Sequence, residues 1–136
     1  MQAKDLLDPY LARIGADWIA YFSAPEGIRD ADPMLFNPWG IVSQIVRHSS
    51  LEAWDLIQFI LAQDEKAQTL DLLSAGPLED FISLHGANWI ESIEDAAKEN
   101  ARFRSLLAGV WQLSTPDDIW SRVVAARGDA KWFECE

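Results

Sequence analysis

The stretch from Leu73 to Trp120 constrains the fold more than any other part of this chain. It contains three apolar stripes with helical spacing, within LSAGPLEDFISLHG, RFRSLLAGVW and STPDDIW, and Gly or Pro separates each stripe from the next. Apolar residues that recur at every third or fourth position predict amphipathic helices. No segment alternates between apolar and polar residues beside a hairpin turn, so the sequence predicts an all-α fold.

Prolines mark most of the expected helix starts. Four of the six prolines follow a residue that can cap a helix, and proline suits the first helical position because its missing N–H would be unpaired there anyway. Ser49 and Glu52 form a candidate capping box, whereas Gly76 and Gly86 are predicted to end helices. We expect seven or eight short helices, at about 9–22, 38–48, 50–62, 65–74, 77–85, 88–98, 103–111 and 116–127.

The expected helices are compatible with two architectures, each within a single domain of residues 1–136. The helix at 50–62 is apolar nearly all round, which predicts that it lies at the centre. Three consecutive helix pairs have similar lengths, as the stacked hairpins of a short, HEAT-like α-solenoid would: 50–74, 77–98 and 101–127. The pairs share no repeated sequence, so an irregular helical bundle remains the other possibility.

The composition is that of an ordinary globular protein, with 49% apolar and 24% charged residues. Seven tryptophans spread along the chain indicate an aromatic anchor on most helices, and we expect Trp54 and Trp111 to be core residues. The single cysteine, Cys135, permits no intramolecular disulfide. The sequence has no apolar signal segment and no candidate membrane span, so we expect a soluble, cytoplasmic protein with no membrane partner.

Acidic residues are unevenly distributed along the chain. The formal net charge is −11, and between Glu52 and Asp95 only Lys66 opposes ten carboxylates. Such a field repels nucleic acid and anionic membranes, so we expect no direct binding to nucleic acid, and it favours basic partners or plain solubility. Four acids are predicted to point outward and form a candidate binding face, the acidic face: Asp55, Glu91, Glu94 and Asp95.

The longest expected loop, residues 23–37, contains two prolines, a glycine and three acids. Loops of this length are uncommon in compact domains unless they have a function. We therefore predict a functional loop there.

The residues that could carry chemistry form no recognisable catalytic signature. His85 lies near a predicted helix end, where the negative end of the helix dipole favours a cation. Glu79 and Asp80 lie in a first helical turn, where carboxylates complement the dipole, and they are on other sides of the helix from His85. Nucleophile elbows, phosphate-binding glycine loops, paired-histidine zinc motifs and calcium-binding loops are absent. We predict that the protein is not an enzyme and holds no metal or cofactor.

A set of short motifs carries a family resemblance: Ala53-Trp54, Leu73, Ala75-Gly76-Pro77-Leu78-Glu79-Asp80, His85-Gly86, Arg102-Phe103-Arg104, Gly109-Val110-Trp111, Ile119-Trp120 and Arg122-Val123. With these motifs, residues 51–127 resemble a family of small acidic bacterial helical proteins catalogued only as a domain of unknown function. The resemblance implies the helical fold and a bacterial source, and it implies no activity. The polar residues of this block are either a functional cluster or structural ties between successive helices: Glu79, Asp80, His85, Arg102 and Arg104.

The sequence leaves three hypotheses of function open. The first is a non-catalytic protein–protein interaction module whose partner could be basic; an immunity protein or antitoxin that neutralises a basic toxin nuclease is one example. The second is a nucleic-acid mimic that inhibits a DNA-binding protein, although mimicry requires rows of acids along an extended face. The third is an enzyme that uses the neighbourhood of Glu79, Asp80 and His85. We favour the interaction module.

Overall fold

The computed structural model describes residues 9–23, 38–63 and 67–130. These residues form α-helices and one π-helical turn and contain no strand, which confirms the all-α prediction. In chain order the elements are α1 (Pro9–Ser23), α2 (Pro38–His48), α3 (Ser50–Gln63), α4 (Ala67–Leu73), the π turn (Ser74–Leu78), α5 (Glu79–Glu99), α6 (Ala101–Leu107) and α7 (Asp117–Arg127). Two sequence features lie outside the described residues: positions 24–37 of the predicted functional loop, and Cys135.

Local capping signals fix two of the helix starts. The Ser49 hydroxyl accepts the Glu52 N–H at 3.4 Å, while the Ser49 N–H donates to the Ile45 carbonyl at 2.8 Å. The second half of the predicted capping box is therefore not needed, since α2 already satisfies that donor. At the start of α6, the Asn100 side chain accepts N–H groups from Arg102 and Phe103, at 2.9 and 3.4 Å.

Gly76 does not end a helix, contrary to the prediction. The chain passes from α4 through the π turn into α5 with helical backbone angles on both sides of the turn. Pro77 lies inside the π turn, where the Glu79 N–H donates to the Ser74 carbonyl five residues back and also to the Gly76 carbonyl. Inside an α-helix, a proline ring clashes with the carbonyl four residues earlier and has no N–H to donate to it. The wider π turn relieves this clash and accommodates the missing donor.

Gly86 is also not a helix end, because residues 79–99 form one helix of 21 residues. Gly86 is buried, and a Cβ at this position would lie 3.3 Å from Cγ2 of Ile119 on α7. The glycine thus allows α7 to pack closely against α5. The hairpin predicted at 77–98 is absent, so the described helices form an irregular bundle and not a stack of hairpins.

The helices pack as two groups joined by α4 and the π turn. Helices α1, α2 and α3 contact one another, as do α5, α6 and α7, while α2 and α3 also contact α5. Helix α1 approaches α3 at Gly15, where a Cβ would lie only 2.6 Å from the Phe59 ring. The buried apolar side chains of all seven helices belong to one cluster, which includes Trp18, Ile57, Phe81 and Phe103.

The two tryptophans predicted to be core residues differ in the structure. The Trp54 ring contacts three other aromatic rings, with centroid distances of 5.7 Å to Phe81, 5.4 Å to Trp89 and 5.6 Å to Phe103. Trp111 is 76% exposed, so its prediction as a core residue is wrong. Helix α6 ends at Leu107, which places Trp111 beyond the helical stripe that the sequence pattern suggested.

We expect Trp54→Ala to lower the free energy of unfolding by about 3 kcal/mol, because its three ring partners lose contacts and a cavity forms. Trp111→Ala should change it by less than about 0.5 kcal/mol, as is usual for an exposed side chain. Chemical denaturation of the two variants beside the wild type measures both values. Equal losses in the two variants would contradict the placement of these side chains.

Candidate functional site

Glu79 fastens the start of α5 to the segment that follows α6. Its Oε2 atom accepts the backbone N–H of Trp111 at 2.8 Å, and the residue is only 9% exposed. Burial raises the pKa of Glu79; the hydrogen bond from Trp111 acts in the opposite direction, and the charge of Asp80 adds to the rise. The carboxylate therefore holds a backbone in place at some cost in hydration.

A second side chain of the same region holds the end of α6. The buried Ser74 hydroxyl, in the π turn, donates to the Leu106 carbonyl at 2.8 Å. The same carbonyl accepts the Gly109 N–H at 3.1 Å, so Ser74 adds a second donor at the end of α6. Ser74 and Glu79 together tie the C-terminal part of α6 and the residues after it to the π turn.

The basic residues of the motif block each bind a carbonyl near the C-terminus of a different helix. Nε2 of His85 lies 2.7 Å from the Val46 carbonyl of α2 and must carry the hydrogen there, since a carbonyl only accepts. Arg102 donates at 2.8 Å to the carbonyl of Leu61, a residue near the end of α3. Cations are favoured at this end of the helix dipole.

Arg104 completes the pattern by donating to the Ala97 carbonyl of α5 at 2.5 Å. Of the five polar motif residues, Glu79, His85, Arg102 and Arg104 thus each bind backbone atoms of another segment. Two ion pairs lie elsewhere in the described part of the chain, Arg13–Asp17 within α1 and Arg122–Glu94 between α7 and α5. The four motif side chains tie segments of the bundle to one another.

Asp80 lines a small cavity beside the π turn. Trp18, Val42, Ser43, Gly76 and Pro77 form the rest of its wall, and its volume is about 10 Å³. That volume holds about one water molecule, whereas small-molecule sites measure hundreds of cubic ångströms. Burial raises the pKa of Asp80, and the nearby charge of Arg47 lowers it. The cavity offers a place for a water molecule beside the carboxylate and none for a substrate.

The predicted acidic face is only partly free. Glu91 and Asp95 on α5 are exposed, but Glu94 is half-buried and forms a two-pronged ion pair with Arg122 of α7, at 2.6 and 2.9 Å. This pairing lowers the pKa of Glu94, with Arg122 as the main cause. Glu94 therefore lies at the surface as predicted but is not free, because α7 supplies a guanidinium opposite it.

A neighbouring helix extends the exposed carboxylates beyond the predicted face. The pKa of Arg122 is raised, mainly by its hydrogen bond to Glu94. The charges of Glu91 and Asp118 raise it further. The negative charges of Glu91 and Asp118 therefore both act on this guanidinium. Asp55 is on α3 beside Glu52; partial loss of hydration and then the charge of Glu52 raise the pKa of Asp55. We define the revised acidic surface as Glu91, Asp95 and Asp118.

The segment between α6 and α7, residues 108–116, presents apolar side chains to solvent; we call it the Trp111 loop. Trp111 is 76% exposed and Leu113 is 56% exposed. The Gln112 amide donates to the Thr115 carbonyl and to the Asp117 carboxylate, both at 2.9 Å. Large apolar side chains thus project from a segment whose backbone is held in place.

The sequence pattern missed the Trp111 loop because the apolar spacing from Phe103 to Trp111 continues past the end of α6. Gly109 was the available signal, since glycine commonly follows a helix end. After α6 the chain tightens into a turn and does not continue as an α-helix. The N–H groups of Ala108, Gly109 and Val110 donate to carbonyls three residues back, at 3.1–3.2 Å.

Metal-binding clusters and membrane-spanning helices are both absent from the described residues. No group of three or more His, Cys, Asp or Glu side chains among them could hold a metal ion. Within the same ranges no helix has both the length and the apolar character needed to cross a membrane.

Comparison with known families places the chain. The sequence profile of a family of unknown function, DUF6869, matches residues 27–131. The chain belongs to this family. The match begins well before Leu51, where the sequence resemblance was expected to start, so it includes α2 to α7. Comparisons with curated proteins and with solved structures each found no match.

We expect Glu79→Gln to change how stability depends on pH. Because the pKa of Glu79 is raised in the folded state, that state holds the proton more tightly than the unfolded chain does, and this group stabilises the fold as pH falls from neutral toward about 4. The variant should lose that part of the rise while keeping an acceptor for the Trp111 N–H.

Glu94→Gln is the opposite control for this experiment. The pKa of Glu94 is lowered, so its contribution is present near neutral pH and is lost as pH falls through the folded-state pKa. Denaturation of both variants and the wild type at several pH values separates the two effects. Parallel profiles for wild type and Glu79→Gln would contradict the role given to Glu79.

Proposed function

We propose that this chain is a non-catalytic protein-interaction module that docks a basic protein partner through the revised acidic surface of α5 and α7. The observation that carries the proposal is a set of exposed carboxylates in a chain of net charge −11: the charges of Glu91 and Asp118 both act on the Arg122 guanidinium, and Asp95 lies one helical turn after Glu91 on α5. Such a surface attracts a positively charged partner from a distance and speeds association. We further infer a soluble, cytoplasmic, bacterial protein.

The hydrogen bonds of the motif block support catalysis less well than they support a structural role. Glu79 bonds to the backbone of the Trp111 loop and His85 to the backbone of α2, so the two side chains serve different elements. A general base must reach the proton that it removes, and both groups already hold backbone atoms. Ties between helices explain these contacts without a reaction.

Mimicry of nucleic acid is also less well supported. A mimic needs a row of free carboxylates at the spacing of phosphates, and Glu94, in the middle of the α5 row, is paired with Arg122. The exposed indole of the neighbouring Trp111 loop suits contact with a protein surface. An immunity protein or antitoxin that binds a basic toxin remains an example of the class that we propose.

The test begins with affinity capture of a partner from the source cell and continues with association kinetics. Glu91→Lys/Asp95→Lys should slow association by about tenfold at low salt, and the difference should shrink as salt rises. Glu94 is left unchanged, because a lysine there would face Arg122. Stability should change by no more than about 0.5 kcal/mol per site, as for other exposed positions.

The matched control is Asp71→Lys/Asp129→Lys. Both of its aspartates are exposed, on α4 and in the turn after α7, and the change in net charge is identical. This control should slow association much less if the partner docks on α5 and α7. Equal rates for the wild type and the Glu91→Lys/Asp95→Lys variant at low salt, with the fold intact, would contradict the proposal.

A further inference from the structure

We infer that the Trp111 loop is the anchor of the partner interface, and that its occupant is a cationic segment of a protein that carries an apolar side chain beside Lys or Arg. The inference rests on the proposed function and adds to it the residues that hold the partner. Its geometric basis is an exposed indole on a backbone held by hydrogen bonds, next to the exposed carboxylates of Asp117 and Asp118.

The backbone of the Trp111 loop is braced before any partner arrives. The Glu79 carboxylate holds the Trp111 N–H, and three tight-turn bonds hold residues 108–110. On the far side of Trp111, the Gln112 amide ties the loop to Thr115 and to the first turn of α7. A loop that is already ordered loses little conformational entropy on binding, which increases affinity for a given set of contacts.

The side chains that the loop presents are those of an interface centre. Trp111, with 76% of its surface exposed, takes no part in the aromatic cluster around Trp54. Leu113, 56% exposed, lies two residues further along the same loop. Tryptophan is enriched among the few residues that supply most of the energy of protein interfaces, because it buries a large rigid surface.

The charge around the loop selects a cationic occupant. The bond from Gln112 places the Asp117 carboxylate beside the loop, and the exposed Asp118 follows it. Through Arg122, Asp118 is continuous with Glu91 and hence with the revised acidic surface. A lysine or arginine of the partner can pair with these carboxylates, and it can also lie over the indole face, which attracts cations.

A second copy of this chain is a poor occupant for the same reason. A two-fold symmetric contact brings the same patch of each copy together, so Asp117 and Asp118 of the two copies would approach each other. Like charges placed opposite each other at an interface lower affinity. The apolar loop is therefore more suited to a different, positively charged protein than to dimerisation.

The experiment selects peptides from a random-sequence library displayed on phage, with the full wild-type chain as bait at physiological ionic strength. Enriched peptides should be rich in Lys and Arg and should each carry at least one aromatic or aliphatic residue. Synthetic copies are then titrated by calorimetry into wild type, Trp111→Ala and Trp111→Phe. We expect Trp111→Ala to weaken binding by at least about tenfold, and Trp111→Phe to restore part of it.

Two other exposed leucines provide the matched controls. Leu51→Ala and Leu84→Ala remove side chains that are 64% and 56% exposed on α3 and α5, and they should leave peptide affinity unchanged. Neutral or acidic peptides, no enriched peptide at all, or equal affinity of wild type and Trp111→Ala would overturn the inference. The inference would also be overturned if the wild type sedimented as a dimer and Trp111→Ala as a monomer. The loop would then bind a second copy of the chain.

The two proposals can fail separately. If Glu91→Lys/Asp95→Lys slows the partner captured from cells while Trp111→Ala leaves peptide affinity unchanged, the acidic surface stands and the anchor is overturned. If the peptides need Trp111 while the captured partner associates equally fast with the charge-reversed protein, the anchor stands and the acidic surface of α5 is overturned.

Discussion

The π turn at Ser74–Leu78 is the feature on which the rest of the structure depends. By widening one turn around Pro77, it lets α4 and α5 continue as one helical run, so that α5 reaches both α7 and the aromatic cluster. The same turn directs the Ser74 hydroxyl to the end of α6, and the next residue, Glu79, binds the Trp111 loop. Wider turns of this kind are often found at functional sites in helices. Here the turn sets the position of α6 and of the loop that follows it.

The polar residues of the motif block have a common structural task. The carbonyls at a helix C-terminus lack partners within their own helix, and in a bundle they must be satisfied by something other than bulk water where they are covered. His85, Arg102 and Arg104 each supply a donor to such a carbonyl, on α2, α3 and α5 respectively. Residues that hold three helix ends at fixed distances define the relative placement of the helices. This accounts for their grouping without any reaction at His85.

The sequence predicted local features well and features set by packing poorly. Ser49 caps a helix as expected, because a cap depends on atoms within three residues. Gly76 and Gly86 were wrongly predicted as helix ends, since glycine's role there depends on a proline-relieving turn and on the close approach of Ile119. Of the acidic face, Asp55, Glu91 and Asp95 were correctly predicted as exposed. The pairing of Glu94 depends on Arg122, which is distant in sequence. The exposure of Trp111 could not be predicted from apolar periodicity, because periodicity does not show that α6 ends at Leu107.

Stability alone does not explain the Trp111 loop. Burial raises the pKa of Glu79, so holding its carboxylate ionised in the folded state costs free energy near neutral pH. The bond made at that cost fixes the backbone of the Trp111 loop, and the indole that this loop exposes to solvent gains no burial from folding. Arrangements that lower stability are typical of functional sites, where binding sets the requirement. Under the proposed function, the outward tryptophan beside Asp117 and Asp118 is the surface that a basic partner would bury.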